Sequence, residues 1–294
     1  MRSARSYSIL PRSLAFLAIL LCVSCAKAPD TARVPADTET SKAVWNRFKT
    51  VSERAENASS PFRLNATLYY SGKEDSQRVS AYLWGNNSMS DPYPVRLDIL
   101  MGPGSVIATT REDLRGLFIY VPREQTVYHA ENDGLLAFGV PLPFKLKDLA
   151  ALVTGRFARV FTPQGGEEPP TFKGGEEPPA FKGGEEPPAF NGDENTLIYM
   201  VDQAALAGYV KLSENGLPVS WEDGTENGWR LTIDYWPDST RRTPRKLHIE
   251  HVGEKREATL IVRELASPEK PFSGKELQLN VPENTRLAPL DGSR

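Results

Sequence analysis

The chain has 294 residues, with 35 Lys and Arg against 38 Asp and Glu and a formal net charge of -3. So even a balance supplies no basic surface for nucleic acid, and 3 His with 2 Cys leave too few ligands for zinc, iron–sulfur or Cys–His nucleophile chemistry. With 39% hydrophobic residues the chain can bury a substantial core, while 24 Pro and 22 Gly argue for turns and linkers rather than a helical bundle.

Arg2, Arg5 and Arg12 precede an apolar run at 14–23. That run is too short to cross a hydrocarbon core about 30 Å thick and matches the apolar centre of a secretory signal. It ends Leu21-Cys22-Val23-Ser24-Cys25, which resembles a bacterial lipobox. Residues 1–24 are therefore expected to be a lipoprotein signal peptide, Cys25 the lipidated residue, and 25–37 a polar tether. The alternative is an ordinary signal peptide cleaved near Ala26 or Ala28. Ala26, where inner-membrane retention would use Asp, resembles lipoproteins sorted outward. No cysteine remains beyond Cys25 for an internal disulfide, and several acyl chains on Cys25 anchor stably where one is marginal.

A helix is expected to start at 37–40, among good N-cap residues. Its Val44, Trp45, Phe48 and Val51 fall on one apolar stripe, suited to packing on a sheet. From Phe62 the period changes to two: Phe62, Leu64, Ala66, Leu68 and Tyr70 alternate with Arg63, Asn65 and Thr67, and 71–75 reads as a turn. Ser80, Tyr82 and Trp84 follow. Val95, Leu97, Ile99 and Met101 then run to the Gly102-Pro103-Gly104 break, and strands are expected at 106–110, 117–121 and 126–130. Local turns between them make an antiparallel meander.

Leu135, Leu136 and Phe138 precede Gly139-Val140-Pro141-Leu142-Pro143, after which Leu146, Leu149, Leu152, Val153 and Phe157 predict a second helix ending near Gly155. A tandem repeat follows. Residues 165–173, 174–182 and 183–191 each read Gly-Gly-Glu-Glu-Pro-Pro-x-Phe-Lys/Asn. Its single apolar residue (Phe172, Phe181, Phe190) cannot bury a core, so 165–191 is expected to be a disordered surface-loop expansion rather than a docking element. Strands resume at 197–201, 208–212 and 218–222, then Trp229, Leu231, Ile233 and Tyr235, Leu247 with Ile249, Leu260 with Val262, and Leu277, Leu279 and Val281. About eleven strands with two sizeable helices give one large curved sheet around a helical filling. That domain is placed at 38–288, with 289–294 as a tail.

No Gly-x-Ser-x-Gly elbow, P-loop or His-Glu-x-x-His run is present. His248 and His251, three apart in a strand, point to opposite faces and cannot share a metal. No catalytic residue, metal site or cofactor is expected, and the chain is not expected to be an enzyme. Arg241, Arg242, Arg245 and Lys246 cluster at a strand entrance, as a solvated turn or a patch for anionic headgroups. Inward-facing candidates are Phe62, Leu64, Leu68, Tyr82, Trp84, Leu97, Ile99, Met101, Leu117 and Ile119. Periodicity does not separate a packed core from a lipid cavity, and by itself it favours the core.

The order of features carries one more reading. A lipobox, the helix with Trp45 and Phe48, and the strand at 62–66 come first. Ala81-Tyr82-Leu83-Trp84, Val95-Arg96-Leu97-Asp98-Ile99-Leu100 and the turn Gly102-Pro103-Gly104-Ser105 come next. The most specific piece is Leu135-Leu136, Gly139-Val140-Pro141-Leu142-Pro143, Leu146, Leu149 and Gly155. Together they resemble the LolB family of outer-membrane lipoprotein receptors, within the LolA/LolB-like lipoprotein carriers. The resemblance is close over 38–160 and looser over 195–282, with the repeats as an insertion.

The resemblance implies a mainly β (α+β) fold: an incomplete antiparallel barrel of about eleven strands, with two or three helices lining or capping an apolar cavity. Acyl chains of lipoproteins would lie against Phe62, Leu64, Leu68, Tyr82, Trp84, Leu97, Ile99, Leu117 and Ile119. It also implies a protein lipid-anchored through Cys25 to the periplasmic face of the outer membrane. Such a protein takes lipoproteins from a LolA-like periplasmic carrier and passes them into that membrane; a monomer without cofactors is expected. The family carries a membrane-facing Leu on a protruding turn. Here that turn is Met101-Gly102-Pro103-Gly104, so Met101, Pro103 and Val106 are the candidates for its role. The alternative is a structural or assembly-factor envelope lipoprotein that docks a protein partner and has no lipid cavity. A periplasmic hydrolase is a third reading, and it would need a polar cleft with a paired acid and base.

Overall fold

Alternating apolar residues in the first half of the chain become six strands: β1 (Pro61–Ser71), β2 (Ser76–Asn86), β3 (Val95–Met101), β4 (Ser105–Asp113), β5 (Gly116–Val121) and β6 (Thr126–Ala130). The computed structural model describes residues 38–58, 61–72, 76–87, 93–102, 104–130, 135, 142–162, 196–201, 206–238 and 242–290. Cys25, Pro103 and the repeats at 165–191 lie outside them. The second half supplies β7 (Thr196–Val201), β8 (Gly208–Ser213), β9 (Pro218–Glu222), β10 (Trp229–Tyr235), β11 (Pro244–His251), β12 (Arg256–Ala266) and β13 (Arg286–Pro289).

All belong to one 13-stranded sheet in the order β13-β6-β5-β4-β3-β2-β1-β12-β11-β10-β9-β8-β7. Each half is a meander of sequence neighbours, and the two meet where β1 pairs antiparallel with β12 (Leu68↔Leu260, Ser71↔Glu257). The end strands β13 and β7 do not pair, so the sheet stays open.

Thirteen strands form where about eleven are expected, and the last of them is not where the alternation placed it. Leu277, Leu279 and Val281 alternate but form no strand; they belong to a stretch of turns in which Leu277 is buried. The last strand comes later, as β13, and it runs parallel to β6 (Arg286↔Thr126, Pro289↔His129). A stretch that must travel from β12 to the far edge arrives with its direction already set, so a hairpin turn is not available to it. Its backbone is secured beyond the strand, where the N–H of Leu290 donates to the carbonyl of His129 at 2.9 Å.

Side chains alternate across the sheet, and one face collects the core. Leu64, Ala66 and Leu68 on β1 stand beside Leu83, Ala81 and Val79 on β2, then Leu97 and Ile99 on β3. On the other side the row continues through Leu260 and Ala258, Leu247 and Ile249, and Ile233 and Leu231. Three helices fill this face: α1 (Thr38–Asn57), α2 (Leu146–Val153) and α3 (Ala158–Phe161). The stripe Val44, Trp45, Phe48 and Val51 of α1 is fully inside. Trp45 stacks on Phe48 and lies 5.1 Å from the ring of Tyr199, whose hydroxyl donates to the carbonyl of Ser41 at 2.7 Å. At Gly216, φ is +75° and an added Cβ would stand 2.4 Å from the backbone nitrogen of Phe48, so only glycine lets the β8–β9 turn approach α1 this closely.

Glu56 near the end of α1 ties the helices together. Arg159 of α3 grips it with two bonds, Nε to Oε1 at 2.6 Å and Nη2 to Oε2 at 2.8 Å. Arg156, with no exposed side-chain surface, adds Nη1 at 3.6 Å and donates from Nη2 to the carbonyl of Asn87 at 3.2 Å.

Candidate functional site

The row of apolar residues leaves a space under α2. A void of about 20 Å³ lies among nine aliphatic side chains: Leu68, Ala81 and Leu97 from the first half of the sheet, Leu247, Ile249, Ala258 and Leu260 from the second, and Leu142 and Leu149 above them. Its origin is local. Ala81 and Ala258 are the void's short lining side chains; Ala81 stands opposite Ala66 and Ala258 opposite Tyr70, one pair to either side of Leu68 along β1. A dry space of this size holds about one water by volume, yet it offers no polar partner to keep one.

The helix over the void is held by carboxylates at its first turn. Glu112 of β4, only 6% exposed, accepts the backbone N–H of Lys147 through Oε2 at 3.0 Å. Asp148 accepts the N–H of Lys145 through Oδ2 at 3.1 Å. Burial raises the Glu112 carboxyl above its ordinary value, against the Lys147 N–H and the charges of Lys147 and Lys145. Asp148 is raised to about 6, first by burial and then by the charge of Glu112, with the Lys145 N–H and the two lysines opposing. At the other end Thr154 Oγ1 donates to the carbonyl of Ala150 at 2.7 Å, and Gly155, with φ +81°, turns the chain into α3.

Phe62, Leu64, Leu68, Leu97, Ile99, Leu117 and Ile119 are all buried on the inner face, and of these Leu68 and Leu97 reach the void. Tyr82 and Trp84, expected inside, stand on the outer face. Ala81 and Leu83 take the inward positions of β2, and Tyr82 is 36% exposed. Size is a poor guide on β2, because its aromatic residues line an open groove on the outer face. Lining residues that sequence reasoning passed over are Ala81, Ala258, Leu142, Leu149, Leu247, Ile249 and Leu260. The two alanines are the informative ones, since small residues within an apolar row mark where space is left.

At the β3–β4 hairpin, Met101 is 48% and Val106 40% exposed. Gly102 and Gly104 carry φ of +60° and +89°, which form the tight tip. Met101, also an inward candidate, is the last residue of β3, paired with Ser105 at the hairpin tip, and it stands exposed there. His248 and His251 lie on opposite faces: His248 Nδ1 contacts Thr259 Oγ1 at 2.9 Å, while His251 meets the ring of Trp229 edge-on. Among the described residues no group of three or more His, Cys, Asp and Glu is placed to hold a metal ion, and no helix is long and apolar enough to cross a membrane.

Neither a protein-family model nor a curated protein matches the chain. Among solved structures it is similar to a LolA superfamily protein from Nitrosomonas europaea, at 12% identity over 76% of this chain and 94% of that one, with a TM-score of 0.46. A domain provisionally described as an outer membrane lipoprotein-sorting protein from Vibrio parahaemolyticus gives 9% identity, 81% and 97% coverage, and a TM-score of 0.46. The Pseudomonas aeruginosa MucA/MucB complex gives 10% identity, 82% and 61% coverage, and a TM-score of 0.33.

Proposed function

We propose that this is an envelope lipoprotein, anchored through Cys25 to the periplasmic face of the outer membrane. Its inner sheet face receives the acyl chains of other lipoproteins and helps pass them from a LolA-like periplasmic carrier into that membrane. The observation that carries the reading is the wholly aliphatic void beneath α2. It is a closed form of a larger acyl site, opened when α2 moves away from the sheet. Each buried CH₂ contributes about 0.8 kcal/mol, so a full acyl chain offsets the loss of the helix's own apolar contacts. Transfer then follows affinity, from carrier to receptor to bilayer, with no bond made or broken. Met101 and Val106 at the hairpin tip meet the membrane as cargo leaves.

A second reading rests on the same void, taken for its small size. An interior packed this fully suits a protein that docks an envelope partner and holds no lipid. Native mass spectrometry with a triacylated lipopeptide separates the two. A one-to-one adduct that is abolished by Leu97→Glu supports acyl binding; folded protein with no adduct selects the docking reading.

A further inference from the structure

The outer face of the sheet carries a second hollow, independent of the void under α2. After β12 the chain crosses this face toward β13, and it is pinned on the way. Asn86 donates from Nδ2 to the carbonyl of Phe272 at 2.8 Å and accepts the Phe272 N–H at 2.7 Å. Arg96 donates from Nη1 to the carbonyls of Gln278 at 2.5 Å and Glu276 at 3.3 Å. Between this strap and the sheet lies a groove of about 570 Å³ whose exposed lining is mainly carbon from Tyr82, Trp84, Leu100 and Phe272. Its volume lies within the range of small-molecule sites, and it is open to solvent along one side.

The charges around it are unequally committed. Arg96 is stacked on Trp84 at 4.9 Å and paired with Asp98 at 3.1 Å. The Glu276 carboxylate accepts the N–H and hydroxyl of Ser273 at 2.8 and 2.7 Å, and these bonds hold it below the ordinary carboxylate range. Arg63 and Lys275 line the same groove, are exposed, and have no partner among the described residues. An apolar trough with two uncommitted cations is complementary to one chemistry. We infer that this groove binds a single-chain amphiphile with an anionic head, its body against Tyr82, Trp84 and Phe272 and its head between Arg63 and Lys275. Such a site is separate from the acyl site proposed above, and neither requires the other.

The test is a titration with bromododecanoate below its micelle-forming concentration, read by tryptophan fluorescence, since bromine quenches an indole it touches. Quenching is expected in the native protein and is expected to disappear in Trp84→Phe, which keeps a ring for Arg96 to stack on. Arg63→Glu with Lys275→Glu, at two exposed positions that hold nothing else, is expected to weaken binding about tenfold or more. Bromododecanol, without the charge, is expected to bind weaker by a similar factor. Absence of quenching overturns the proposal, as does equal binding of the acid and the alcohol. Quenching that survives Trp84→Phe also overturns it, by placing the chain near Trp45, Trp221, Trp229 or Trp236 instead.

Discussion

Glu112 on β4 accepts the backbone N–H of Lys147 in the first turn of α2, so the sheet itself caps the helix that covers the void. A helix start leaves several N–H groups without partners, and Glu112 satisfies this one from the sheet. Glu112→Ala is expected to lower stability by about 1–2 kcal/mol and to speed amide exchange across α2. Glu112→Gln keeps an acceptor and is expected to fall closer to the native protein. Urea unfolding with hydrogen exchange checks both; unchanged exchange in Glu112→Ala would show that α2 is held by packing alone.

Asp148 makes the same turn pH-sensitive. Its folded-state value of about 6 lies above the ordinary 3.8, so the folded protein binds the proton more tightly than the unfolded chain. Stability from this group is therefore present at low pH and is lost as pH rises through about 6. Asp113 and Glu276, held below their ordinary values, act in the opposite sense at lower pH. Asp148→Asn isolates the effect: relative to the native protein, its stability is expected to improve as pH is raised toward 7, with little further change above. A difference that is flat with pH would contradict it.

The cluster around Glu56 separates a buried charge from a half-exposed one. Removing Arg159, which keeps some contact with water, is expected to cost about 1 kcal/mol. Glu56→Ala also strands Arg156, whose side chain is fully buried and whose ionised form is disfavoured by burial and supported by Glu56. A loss of about 3–5 kcal/mol is expected there. Equal losses for the two variants in chemical denaturation would show that Arg156 finds its compensation elsewhere.

Met101 and Val106 project from the hairpin tip without supporting the core. Met101→Asp with Val106→Asp is expected to leave stability within about 0.5 kcal/mol and lipopeptide binding unchanged, while slowing delivery to vesicles. Unaltered delivery in a vesicle-transfer assay would remove the tip from the mechanism.

Much of this architecture is legible in the alternation of β1, β3 and β5, where Leu64, Leu97 and Ile119 take the inner face that their period assigns, and in the stripe of α1. The join between halves is not legible. Leu68 meets Leu260 across about two thirds of the length of the chain, and period two says which face a residue takes but never which strand it pairs with. Tyr82 and Trp84 take the outer face because both parities of β2 carry apolar residues, and the outer pair lines the open groove beside the strap. The void was hidden for a related reason. It is lined by alanines at 81 and 258 from strands on either side of β1, and they share one space only once the sheet is assembled.

Hydrogen exchange with and without a triacylated lipopeptide tests the central claim, that acyl chains enter the inner face by displacing α2. Residues 146–153 are expected to lose protection on binding while amides of β1, β3 and β11 keep theirs. Lipopeptide bound with α2 still fully protected would place the acyl site elsewhere, and would contradict the account.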